Sequence, residues 1–329
     1  MMGNGRIGYL DLAKGVCICI VMLFHVHGIL QCGLFGERVL FSSFMLPPFF
    51  FISGLLFKEE ESFRTFFVKK VNRLLVPFLF FYMISAVIIP NLLHWAFGMN
   101  FESVIGWRSL WAFLWPGEYP NIPLWFLWCL FLMNLLFWVI RRQGSAVALI
   151  CFCLCLTGIC LDRFVGVDVA CIVKTFKYIF FFCAGFLLKG RFTDEMRLGG
   201  GWKTALLLVV SFAIALIPAV SYRCDSLPVE VLAFCLSGLA GSAFLLILCS
   251  FVRHLPVISY LGENSIVIIL THGLLVRAMT QGVIGLAGSI GPHYAVILSW
   301  LLMIVAYLLL IPLIKFCLPH FTAQKPLFR

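Results

Sequence analysis

Apolar runs of about twenty residues, separated by short segments where Lys, Arg, Gly and Pro gather, recur from one end of this sequence to the other. A helix needs about 20 predominantly apolar residues to cross roughly 30 Å of hydrocarbon, and inside lipid only a structure that pairs its own backbone groups survives. The runs therefore read as membrane spans. Composition agrees, because 63% hydrophobic, 12% charged and a mean hydropathy of +1.07 are not values a soluble chain of 329 residues carries. Cutting at charge clusters and at Gly and Pro predicts about ten spans, near 15–31, 42–57, 74–95, 123–140, 145–161, 175–188, 203–221, 229–250, 264–280 and 294–316. The expected fold is an all-α polytopic membrane protein, a bundle of about ten transmembrane helices forming one integral-membrane domain over residues 1–329.

Orientation follows from Lys and Arg, which accumulate in cytoplasmic loops. With the N-terminus inside, 17 of the 24 basic residues fall on the cytoplasmic side, among them Arg64, Lys69, Lys70, Arg73 and Lys325. Both termini are then cytoplasmic and the expected location is the inner membrane. The net charge of +10 becomes a topology and anionic-lipid signal, with no nucleic-acid partner implied. No small-residue cleavage pattern follows Leu30, so the first span is expected to be retained. The 14 cysteines lie mostly inside apolar runs, with no CxxC pair and no Cys/His cluster at zinc spacing, so they read as small reduced hydrophobes and no metal is expected.

Chemistry concentrates in "YLDLAKGVCICIVMLFHVHGIL", Tyr9 to Leu30. At 100° per residue Lys14 and His25 lie about 20° apart around a helix and roughly 16 Å apart along it, with Asp11 about 40° from His25. All three share one face. His27, two residues beyond His25, points about 200° away from it and is not part of the stripe. Ionisable residues inside a span face the protein interior and mark a functional path by default, although an interfacial Asp11–Lys14 ion pair with a packed His25 also satisfies the pattern. In the segment 96–123, Trp107, Trp111 and Trp115 repeat on one helical face, which suits either an aromatic belt or a sugar platform.

Five segments, in order, resemble the acyltransferase family 3 of integral-membrane O-acyltransferases. "LDLAKG" followed by His25 resembles its opening motif, "PPFFFISGLLF" (47–57) its Ser-Gly segment, and "FVKKVNRLLVPFLFFY" (67–82) its basic segment before a Pro. "PLWFLWCLF" (123–131) and "LGENSIVIILTHGLL" (261–275) complete the set. The resemblance covers nearly the whole chain and implies ten spans with cytoplasmic termini. Two departures stand out. Lys70-Val71-Asn72-Arg73 replaces the family's usual Arg-x-x-Arg, exchanging a bidentate guanidinium for a point charge, and Leu270 and Thr271 stand where a tyrosine usually precedes the late histidine.

The resemblance implies transfer of an acyl group, expected to be acetyl, from cytosolic acyl-CoA to a hydroxyl of a carbohydrate or glycolipid of the cell surface. Such a reaction needs a base for the hydroxyl proton and cations for the donor's phosphates. His25 is expected as the base, with Asp11 and Lys14 organising the charge network near it. Lys69, Lys70 and Arg73 are expected to meet the acyl-CoA, with Ser53 and His272 also facing it. The lipids of the membrane are the surrounding partners, and a second transfer step outside the membrane would need a partner protein, since the chain holds no esterase-like domain. A transporter or flippase of a small anion or lipid-linked sugar is the alternative, and a non-catalytic scaffold a third.

Overall fold

The computed structural model describes residues 7–31, 36–60, 62–89, 121–192, 201–221 and 226–328, together with 91, 92, 95, 114, 115 and 119. It is 85% helical, with no strand among the described residues. In chain order the main helices are α1 (Gly8–Leu30), α2 (Glu37–Phe44), α3 (Leu46–Leu55), α4 (Phe63–Lys70), α5 (Val76–Met83), α6 (Trp125–Ile140), α7 (Val147–Phe164), α8 (Ile172–Leu187), α9 (Trp202–Ala215), α10 (Leu227–Val252), α11 (Pro256–Glu263), α12 (Ser265–Ile290) and α13 (Pro292–Cys317). Their ends follow local chemistry. Gln31 adopts a left-handed backbone after α1, Gly291 does so before α13, and Pro228, Pro256 and Pro292 sit in the first turns of α10, α11 and α13, where a missing N–H costs nothing.

Among the described residues, five helical stretches are long and apolar enough to cross a membrane: Gly8–Leu30, Phe63–Ile88, Ile122–Phe164, Leu227–Val252 and Pro292–Cys317. A sixth is reached if α11 and the start of α12, bent by 90° at Asn264, count as one span. The other apolar helices among the described residues are shorter than these. Helix α8 has 16 residues and α9 has 14, which reach about 24 and 21 Å at 1.5 Å per residue, short of the hydrocarbon thickness. The 43-residue stretch is itself interrupted, because Gly144 at φ 56°, ψ −126° separates α6 from α7. Surface chemistry marks a membrane protein: Ile297, Leu301, Val305, Leu309 and Leu313 are 48, 47, 56, 75 and 57% exposed along one face of α13, while Ser299, Met303, Tyr307 and Ile311 on another face are fully buried. A continuous exposed apolar stripe of this kind suits lipid contact.

The chain folds into two compact units. The first comprises residues 1–57, 178–265 and 280–308. Within it α1 crosses α11 at two glycines. A Cβ on Gly15 would lie 1.9 Å from the Ile258 carbonyl oxygen, and one on Gly262 would lie 1.8 Å from that of Asp11, so these backbones touch because neither residue has a side chain. Helices α3 and α8 meet in the same manner, Gly54 against Phe182 and Gly185 against Phe51. The indole of Trp300 donates to the Cys19 carbonyl at 2.8 Å, fixing α13 against α1.

The second unit comprises residues 58–177, 266–279 and 309–329. Here α4 runs through a π-helical turn, Val71–Leu75, into α5. Pro77 supplies the cause: it has no N–H for the Arg73 carbonyl and its ring crowds that oxygen, while Val76 donates back to Val71, five residues away. A second π turn, Ile84–Ile88, follows α5. Aromatic rings fill the core, with Phe78 stacked on Trp128 at 5.4 Å and Phe66 on Trp138 at 4.3 Å.

Candidate active site

The charged face of α1 survives as expected in geometry, and two of its three residues meet. Lys14 Nζ lies 2.6 Å from Asp11 Oδ1, an i, i+3 ion pair with side chains 21 and 11% exposed. The pair sits beside the glycine contact with α11, so the "LDLAKG" and "LGENS" segments pack together through Gly15 and Gly262. His25 is not part of the pair. It lies eleven residues on along an uninterrupted helix, roughly 16 Å further, half-buried and edge-on to the Phe24 ring at 5.3 Å. His27, off the stripe, has its own partner in Glu37 at 3.2 Å.

Ser53 donates to the Phe49 carbonyl one turn back, at 2.8 Å, and the close helix approach beside it belongs to Gly54. His272 is fully buried, its Nδ1 2.9 Å from the Ile268 carbonyl. Asn121 packs against the same stretch of α12, donating to the Leu270 carbonyl at 2.7 Å and facing Gly273, where a Cβ would come within 2.2 Å of its Oδ1. Of the Trp stripe, Trp115 is 41% exposed, and Trp107 and Trp111 lie outside the described residues.

The basic segment builds a pocket of about 640 Å³ in the second unit. Arg64, Lys69 and Arg73 line it from α4 and the π turn, and Lys325 lines it from the C-terminal segment. Among the described residues no acidic side chain lines it; Lys69 reaches Glu60 at 2.7 Å. Lys70 turns elsewhere, its Nζ 5.2 Å from the centre of the Phe66 ring. The arrangement gathers four cationic side chains at one concavity, and their mutual repulsion is relieved when a polyanion occupies it.

Sequence reading overlooked the residue that shapes this pocket. Asn72, which the sequence offers only as an unspecified position between Lys70 and Arg73, is buried and clamps residues 327–328: its Oδ1 accepts from the Leu327 and Phe328 amides at 2.7 and 2.8 Å, and its Nδ2 donates to the Phe328 carbonyl at 2.8 Å. Arg64 and Lys325 stand out in the sequence only as cytoplasmic charges. A polar residue at the centre of a basic, proline-followed segment was the available signal.

Comparison with known proteins gives one positive finding. A family model described as an acyltransferase domain, acyltransferase family 3, matches residues 7–314. Searches of curated proteins and of solved structures return no match. The match runs through the ion pair on α1, the basic segment and the buried histidine of α12 alike, and with the apolar helices around them it shows that the chain belongs to the acyltransferase 3 family of membrane acyltransferases.

Proposed function

We propose that the protein is an acyl-CoA-dependent O-acyltransferase that moves an acetyl group to a hydroxyl of a cell-surface carbohydrate or glycolipid. The observation that carries this reading is the cationic pocket lined by Arg64, Lys69, Arg73 and Lys325, whose charge suits the diphosphate and 3′-phosphate of coenzyme A. Its volume lies within the roughly 300–1,000 Å³ usual for small-molecule sites. Ten membrane crossings with both termini cytoplasmic, in the inner membrane, go with the reading, since 17 of 24 basic residues then face the cytosolic pool of donor.

The chemistry assigns each residue a task. His25 takes the proton from the acceptor hydroxyl as its oxygen attacks the thioester carbonyl, a role suited to an imidazole because its ordinary pKa of about 6.5 leaves the neutral form available at physiological pH. The tetrahedral intermediate collapses by breaking the C–S bond, forming the ester and expelling the coenzyme A thiolate, which recovers the proton from His25. Asp11 neutralises Lys14 and so keeps a cation close to the buried glycine crossing without an uncompensated charge.

The test is acetyl transfer from labelled acetyl-CoA into the carbohydrate fraction of membranes carrying the protein. His25→Ala should reduce transfer by about a thousandfold, within the span that general base catalysis supplies, while detergent-extracted protein keeps its thermal unfolding profile. Near-normal transfer by that variant would contradict the assignment of the base.

A further inference from the structure

The C-terminal segment is built into the pocket rather than trailing from α13. Phe321 stacks on Phe80 with ring centres 3.7 Å apart and planes within 10°. Thr322 is fully buried and donates to the Leu318 carbonyl at 2.8 Å, and the Gln324 and Lys325 amides both reach back to the Pro319 carbonyl at 3.0 and 3.1 Å. Asn72 then pins Leu327 and Phe328. The segment is thereby fixed at both ends, and what it presents to the pocket is a cation, Lys325, and an aromatic ring, Phe328, which is 51% exposed.

A bare phosphate site needs only cations. A cation and an open ring face, held on one rigid segment opposite Arg64 and Arg73, match the two chemistries of a nucleotide, phosphate and base. We propose that residues 318–328 form the nucleotide-reading wall of the pocket, Lys325 taking the 3′-phosphate of the acyl-CoA and the Phe328 ring stacking on its adenine. This rests on the reading of the pocket as the acyl-CoA site. The segment would be a specificity determinant, telling coenzyme A from donors that lack the nucleotide or its 3′-phosphate.

Binding to the full-length protein in phosphatidylcholine nanodiscs separates the two readings, with coenzyme A and 3′-dephospho-coenzyme A as probes. The wild type should prefer coenzyme A by about tenfold, as one charge-assisted contact supplies. Lys325→Ala should erase that preference by weakening coenzyme A alone, and Phe328→Ala should weaken both ligands by at least about fivefold. Both side chains are exposed, so neither change disturbs the core. Wild-type affinities and preference in both variants, with Arg73→Ala still weakening coenzyme A, would overturn the role of the wall and leave the donor site standing. Equal loss of both ligands in Lys325→Ala would overturn recognition of the 3′-phosphate, and loss of wild-type binding when phosphatidylglycerol is added would assign the pocket to lipid headgroups and overturn the proposal. A wild type that binds neither ligand would remove the donor site and the wall together.

Discussion

Arg73 and Lys69 line the same pocket four residues apart, yet they are not equivalent. Lys69 is already engaged by Glu60 at 2.7 Å, an exposed ion pair that an incoming phosphate must outcompete, whereas Arg73 carries a planar fork suited to two phosphate oxygens at once. Arg73→Ala should therefore weaken acetyl-CoA binding by about 1.5–3 kcal/mol and Lys69→Ala by less than about 1 kcal/mol, measured by titration of each variant. Equal losses would contradict the distinction. The sequence made Arg73 legible through its place before Pro77, and made the Asp11, Lys14 and His25 face legible through helical spacing alone. Asn72 was not legible, because its role depends on Leu327 and Phe328, more than 250 residues away, and no local pattern announces a contact of that range.

At the scale of elements, the glycine crossing of α1 and α11 sets how the first and last motifs meet. Gly15→Ala would drive a methyl group into the Ile258 carbonyl, which cannot swing aside as a flexible side chain could, and should cost about 3 kcal/mol, seen as a lower unfolding temperature in detergent. Gly28→Ala on the same helix is the control. Nothing lies within 4 Å of its added Cβ, so it should be neutral or slightly stabilising, by up to about 1 kcal/mol. Identical behaviour of the two would contradict the close approach. Hydropathy marks the apolar part of α1, 15–31, and helical spacing carries the helix back to Asp11; it begins at Gly8, with Asp11 and Lys14 neutralising each other in its first turns. The basic segment likewise joins its span, Phe63–Ile88, in one helical stretch through two π turns. Periodicity at 3.6 residues cannot register a π turn, and the 90° bend at Asn264 falls between two segments that each read as apolar.

For the whole molecule, membrane character was legible in the length and spacing of apolar runs, and family membership in five ordered motifs that the match over residues 7–314 bears out. The length of each helix was not, because runs that hydropathy scores alike fold into helices as different as the 26 residues of α10 and the 14 of α9. Topology has a direct check. Glu59, exposed just before α4, should face the cytosol, so Glu59→Cys should react with a membrane-impermeant maleimide in inverted vesicles and stay unlabelled, relative to wild type, in intact right-side-out ones. Labelling from the outer face would reverse the proposed orientation and detach the pocket from its cytosolic donor.

The central claim is that the cationic pocket holds acyl-CoA, and calorimetric titration of acetyl-CoA into the purified full-length protein tests it most directly. The account predicts saturable binding at one site per chain, competed by free coenzyme A and weakened at least tenfold by Arg73→Ala. Absence of binding, or binding that Arg73→Ala leaves unchanged, would contradict it.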